Sequence, residues 1–165
     1  MYKLALDETD KRLLKALAGN GRASAAALAQ VVGLTRQAVS DRMEKLRSEG
    51  LIEGFTLSLN PEKLGLEMRA FIAIILLPGV QESEEAVVIE LLRRSPWVQE
   101  CYRVAGEDYF QARVIAPNIK ALRELVVELR ATGFVQGTRT TMALETMFEK
   151  SAMSFPGCRD EDGPE

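Results

Sequence analysis

The stretch 24–50, SAAALAQVVGLTRQAVSDRMEKLRSEG, constrains the fold of this chain more than any other. It carries two short helical patterns hinged at Gly33. Ser24 and Thr35 each precede a run with apolar residues at helical spacing, where a side-chain oxygen can cap the first free amides. Leu28, Val31 and Val32 form the apolar side of the first helix, and Val39, Met43 and Leu46 that of the second. Gly50 stands where a left-handed residue would end it. Two short helices around a glycine turn fit a helix-turn-helix whose second helix reads DNA. A small all-α bundle satisfies the same pattern.

Residues 7–18 predict a preceding helix, with Asp7 as N-cap, Asp10 in the first turn and Leu13, Leu14 and Leu17 inside. Gly19-Asn20-Gly21 ends it. Three helices are the minimum that encloses a helix-turn-helix core. From 51 to 59 the period changes: Leu51, Phe55, Leu57 and Leu59 share one side of an extended run, and Ile52, Gly54, Thr56 and Ser58 the other. This predicts a linker strand, closed by Asn60-Pro61.

The remainder alternates strands with helices. Strands are predicted over 67–77, 97–105, 109–116 and 138–148. One helix spans 83–94, with Val87, Val88, Leu91 and Leu92 inside. A second opens at Asn118, with Ile119, Leu122, Leu125, Val126 and Leu129 on its stripe. The order β-α-β-β-α-β is the split βαβ, ferredoxin-like arrangement. The expected class is therefore α+β. A winged-type helix-turn-helix head occupies 1–50, a linker strand 51–60, a ferredoxin-like (ACT-like) domain 61–150 and a flexible acidic tail 151–165.

The first body strand, MRAFIAIILL, is apolar on both sides: Met68, Ala70, Ile72, Ile74 and Leu76 on one, Phe71, Ala73, Ile75 and Leu77 on the other. Helices cover one face of such a sheet, so the second needs another cover, most simply the same sheet in a second subunit. The chain's own linker or tail is the alternative.

Charge and composition narrow the function. Net charge is −3, but residues 1–60 hold nine Lys and Arg against seven Asp and Glu, while 61–165 hold twelve against seventeen. A mildly basic front on an acidic back is the distribution of a separate DNA-binding head. Histidine is absent, which removes the commonest general base and metal ligand. The two cysteines, Cys101 and Cys158, are too few for a disulfide framework or a structural zinc site. No cofactor or metal is expected. No apolar run approaches a membrane span, and the first residues lack a signal-peptide pattern, so a cytoplasmic protein without membrane association is expected.

With Met43 facing the core, Gln37, Asp41 and Lys45 point outward on the reader helix, flanked by Ser40 and Arg42. Arg36 and Gln37 fall in its first turn, where recognition helices meet base edges. Arg suits guanine O6/N7 and Gln adenine N6/N7. Thr35 and Ser40 can donate to phosphate, and Arg12, Arg22 and Arg47 are further candidate phosphate contacts. Asp41 is out of place beside phosphates, and Lys45 four residues on is its expected partner. A solvated helix face is the plain alternative for all of them.

These residues together resemble the Lrp/AsnC, or feast/famine, transcription regulators along almost the full chain. The resemblance rests on Leu6-Asp7 with Asp10, Gly21-Arg22 before Ser24, Gly33-Leu34-Thr35, Ala38-Val39, Arg42, Leu46, and 50–55, GLIEGF. In the body it continues through Leu64-Gly65-Leu66, Pro96 with Val98, Cys101-Tyr102, Gly106, and Thr138 with Thr140. It implies homodimers built through the body, often assembled into octamers. It also implies a small molecule, typically an amino acid, held between dimers near the loop after the second body strand. The candidate effector residues are then Gly106, Glu107, Asp108, Tyr109, Thr138 and Thr140. The family commonly carries Gly-x-x-Asp-Tyr in that loop, whereas here Tyr109 occupies the Asp position. Either Asp108 takes the acidic role by a one-residue shift, or the role is absent.

The function implied is sequence-specific regulation of transcription on double-stranded DNA, with half-sites about one helical turn or a multiple apart. A ligand-independent DNA-compacting protein is the alternative within DNA binding. An enzyme resembling the haem-pathway decarboxylases of similar fold is disfavoured, because their chemistry depends on histidine.

Overall fold

The computed structural model describes residues 6–106 and 108–149. Chain contacts separate two units, one holding the N-terminal residues through Ser58 and the other running Leu59–Phe148. The expected acidic tail, 151–165, and the loop residue Glu107 lie outside the described residues.

The N-terminal unit contains α1 (Glu8–Gly19), α2 (Ala25–Val32) and α3 (Arg36–Ser48). Each begins where a side-chain oxygen takes an otherwise unpaired amide. Asp7 accepts from the Asp10 amide at 2.7 Å while the Asp10 carboxylate accepts from the Asp7 amide at 3.3 Å, a reciprocal capping box. The Ser24 and Thr35 hydroxyl oxygens accept from the amides of Ala27 and Ala38, both at 3.2 Å. Between α2 and α3 the chain reverses at Gly33, whose φ of +72° is open to glycine at little cost.

Leu13, Leu17, Leu28, Ala29, Val32, Val39 and Leu46 close the core of this unit. Val31, expected inside, is half exposed, and Ala29 takes its place. On so short a helix, Leu28, Ala29 and Val32 occupy one arc and Val31 falls beyond it.

The predicted linker strand is corrected: 51–59 forms no strand among the described residues. After Gly50, the amides of Leu51 and Ile52 bond back to the Leu46 carbonyl, and no ladder follows. An extended run becomes a strand only beside a partner edge, and the described chain offers it none. Phe55, Leu57 and Leu59 consequently remain exposed.

The second unit follows the β-α-β-β-α-β order: β1 (Met68–Leu76), α4 (Glu82–Arg94), β2 (Val98–Arg103), β3 (Phe110–Ala116), α5 (Ile119–Ala131) and β4 (Val135–Met142). The sheet order is β2-β3-β1-β4, with antiparallel pairing throughout. Ala70, Ile72, Ile74 and Leu76 of β1 share a face with Phe110, Ala112, Val114 and Ala116 of β3 and pack against Val88, Leu92, Leu122, Leu125 and Leu129 of the helices. Val87 and Ile119, expected inside, are exposed. The helices meet the sheet through a narrower arc than the full apolar run, and Ala121 occupies the inner side of α5.

The last strand begins three residues earlier than expected and ends at Met142 rather than 148. Gly133, at φ +80°, turns the chain out of α5 directly onto the edge of β1, so pairing starts at Val135 opposite Leu76. By Met142, opposite Ala70, β1 is nearly exhausted, and Leu144, Met147 and Phe148 stand exposed. The other face of β1 presents Phe71, Ala73 and Ile75, with Leu77 just beyond; Phe71 and Leu77 are 40% and 42% exposed.

Candidate functional site

Two regions carry the residues singled out from the sequence. On α3, Arg36, Gln37, Asp41 and Lys45 are all exposed, and Ser40 is half-buried at the flank. Thr35 serves as the N-cap, so its oxygen is engaged while its proton stays available to a phosphate. The Ser40 hydroxyl donates to the Arg36 carbonyl at 3.1 Å, which commits its proton to the helix.

Asp41 does not pair with Lys45 as expected. Gln37 Nε2 donates to Asp41 Oδ1 at 2.8 Å, whereas Lys45 lies 4.0 Å from Glu49. Both pairs are four residues apart, and the helix places either within reach; the amide takes the carboxylate. Among the described residues, the side chains of Arg22, Arg36 and Arg47 are exposed and enter no hydrogen bond or ion pair.

Two other arginines are committed inside the unit. Arg12 donates through Nη2 to the Val31 carbonyl at the C-terminal end of α2. Arg42 Nη1 lies 2.7 Å from both Asp7 Oδ2 and Asp10 Oδ1, tying α3 to the start of α1. That position turns Arg42 toward α1 rather than outward beside Gln37. The Asp10 amide bond, followed by the Arg42 guanidinium, holds the Asp7 carboxyl below its ordinary value. A carboxylate whose pKa is lower folded than unfolded stabilises the fold above the unfolded value and loses that contribution as pH falls through the folded one. Asp7→Asn is therefore expected to lower the melting temperature at neutral pH, with the difference from the unsubstituted protein shrinking as pH falls below the ordinary carboxylate range. A difference that persists at the acid end would contradict this role for the charge.

The second region is the β2–β3 turn. The Val104 amide bonds the Tyr109 carbonyl at 3.2 Å, and the Tyr109 amide bonds the Ile74 carbonyl of β1 at 2.9 Å. Gly106 has φ +129°, a conformation that side-chain-bearing residues rarely adopt. Asp108 is four-fifths buried; Oδ2 accepts from Arg139 at 2.7 Å, and Oδ1 is buried with no partner among the described residues.

Thr138 and Thr140 stand opposite Ile74 and Ile72, on the helix-covered side of the sheet, and Thr138 accepts from Arg130 of α5 at 3.4 Å. The β4 side chain that reaches the turn is Arg139, between them. Alternation along the strand assigns the two threonines and the arginine to opposite faces, a distinction the Thr-x-Thr pattern alone did not reveal.

Arg103, also missed in the sequence, secures the turn from the helix side. Its guanidinium bonds both oxygens of the buried Glu85 carboxylate on α4 and lies 5.0 Å and 5.4 Å from the ring centres of Tyr109 and Phe110. Its spacing three residues before Gly106 was the available signal. Arg103→Ala is expected to lower thermal stability and speed amide exchange at Tyr109 and Phe110, because Glu85 is left buried without its cation. Unchanged exchange at both amides would show that Arg103 does not secure the turn.

The comparisons with known proteins agree with this architecture. A winged helix-turn-helix DNA-binding model matches residues 6–53, and a Lrp/AsnC ligand binding domain model matches residues 69–153. The HTH-type transcriptional regulator LrpA of Mycobacterium tuberculosis is 35% identical over 144 residues, covering 87% of this chain and 93% of that protein. The crystal structure of the M. tuberculosis leucine response regulatory protein LrpA superposes with a TM-score of 0.77 at 34% identity, covering 90% of this chain and 99% of that one. A feast or famine regulatory protein of the same organism, complexed with L-methionine, superposes with a TM-score of 0.80 at 35% identity and the same coverage. Among the described residues no helix is long and apolar enough to cross a membrane. With a capped helix-turn-helix in one unit and a ferredoxin-like ligand-binding fold in the other, this chain belongs to the Lrp/AsnC family of DNA-binding transcriptional regulators.

Proposed function

We propose that the chain regulates transcription as a homodimer, reading base edges with Arg36 and Gln37 and responding to an amino acid at the β2–β3 turn. The exposed first turn of α3, with Arg36 and Gln37 beside the Thr35 cap, carries the DNA reading. Arg22, Arg47 and Lys45 supply phosphate attraction around it. The head's positive excess is small, so two heads on one dimer account for firm binding better than one.

The dimer reading rests on the uncovered face of β1. Phe71 and Leu77 are apolar and substantially exposed there, and on the same face Arg113 bonds Glu100 at 2.7 Å as a polar margin. Further assembly of dimers into an octamer, with the effector between dimers, follows the family. An amino acid is the favoured effector because Asp108 Oδ1 is a buried acceptor awaiting a donor and the Gly106 backbone leaves room for a carboxylate. L-Methionine, the ligand of the related structure, is the first to try. The reading is of a regulator rather than an enzyme: the relatives are named as regulators and the chain has no histidine to move protons.

Thermal-shift titration with the common amino acids is expected to show stabilisation by at least one, lost in Asp108→Asn. No shift with any of them would favour a regulator that ignores amino acids. For DNA, Arg22→Ala is expected to weaken binding evenly across sequences and reduce the salt slope by about 0.9, the value of one released counterion. An unchanged slope would remove Arg22 from the phosphate contacts.

A further inference from the structure

The pairing of Gln37 with Asp41 gives a use to an acidic residue on the outward face of α3. We propose that Asp41 is a positioning residue for base recognition, which sets which way the Gln37 amide faces. This rests on the reading of Gln37 as a base contact.

A glutamine on a helix surface presents its amide in two near-equivalent orientations, because the terminal torsion is broad and two-fold. One orientation offers oxygen where the other offers NH₂, so an unrestrained Gln matches opposite donor–acceptor patterns. An ionised carboxylate accepts only, and therefore binds the NH₂ end alone. Asp41 Oδ1 takes one hydrogen of Gln37 Nε2 at 2.8 Å. The remaining N–H and the carbonyl oxygen then face outward in a single order, one donor beside one acceptor. Adenine presents the complement in the major groove, N7 accepting and N6 donating.

The charge of Asp41 has a second consequence. It opposes every phosphate alike, which lowers affinity for all DNA, while the oriented amide rewards only a matching base pair. The first lowers specific and non-specific binding together; the second raises their ratio, the quantity that matters among many competing sites. A carboxylate four residues after the reader is thus consistent with a helix selected for discrimination.

The test is in vitro selection of bound DNA with the full chain and with Gln37→Ala, Asp41→Ala and Asp41→Asn, alongside affinity for a random duplex. Asp41→Asn removes the charge and adds a donor, so it can pair with either end of the Gln37 amide; Asp41→Ala removes the pairing altogether. Both Asp41 variants are expected to bind the random duplex more tightly. Asp41→Ala and Asp41→Asn are both expected to lose about 5–20-fold preference at the same base pair that Gln37→Ala affects. The Gln37→Ala/Asp41→Ala double variant should lose no more at that pair than Gln37→Ala alone. If both Asp41 variants keep the full preference while Gln37→Ala loses it, the positioning role is overturned and Gln37 remains the reader. If Gln37→Ala itself selects the unchanged motif, the base-reading assignment falls and the role of Asp41 falls with it.

Discussion

Phe71→Glu, on the uncovered face of β1, is expected to leave the protein monomeric and to lower operator affinity by about 10²–10⁴-fold. Phe71 lies outside the helix-covered core, which holds Ala70 and Ile72 on either side of it, so the unit itself should fold. A carboxylate placed there would be desolvated without a partner if a second sheet packed against it. Two heads joined through the sheet engage two half-sites, the second in an intramolecular step, and a monomer forfeits that step. Sedimentation and DNA titration together check this. A Phe71→Glu protein that stays dimeric would place the dimer contact elsewhere, and a monomer that keeps full affinity would show that one head suffices.

Leu13→Ala is expected to abolish DNA binding by unfolding the N-terminal unit. Leu13 is fully buried and belongs to a core of, among the described residues, only seven buried side chains drawn from three short helices. Truncating a buried leucine costs about 2–5 kcal/mol, which is comparable with the whole stability of so small a unit. The second unit has its own core, built from Ile72, Ile74, Val114, Leu125 and Leu129 among others, and shares no residue of it with the first. Circular dichroism should therefore show lost helix with the sheet unit still melting cooperatively. A variant that binds DNA normally would mean the three-helix core tolerates a cavity better than its size allows.

The helices were the most legible part of the chain, because their signals are local. Ser24, Thr35, Asp7 and Asn118 each sit one residue before a helix and cap it, and glycines at 33 and 133 adopt the left-handed backbone that ends or follows one. Strands were less legible because their limits depend on partners elsewhere. β4 is bounded by the length of β1, and 51–59 has the alternation of a strand without an edge to join.

The site divides in the same way. Which residues face outward on α3 follows from helical periodicity, so Gln37, Asp41 and Lys45 were placed by sequence. Which partner each one takes is a matter of side-chain reach: Arg42 turns to Asp7 and Asp10 across the helix packing, and Asp41 takes Gln37 rather than Lys45. At the turn, Arg139 meets Asp108 across β1, and no spacing in the sequence announces a contact between residues 31 apart.

The central claim is that a dimer reads DNA sequence through α3 and alters that reading with a small molecule. Its most direct test is in vitro selection from a random duplex pool, run with and without L-methionine and the other amino acids at two salt concentrations. The expected result is a two-fold symmetric motif with half-sites about one helical turn or a multiple apart, whose affinity or spacing shifts with at least one amino acid. Enrichment of no motif, with binding that simply falls with salt and ignores every amino acid, would contradict it.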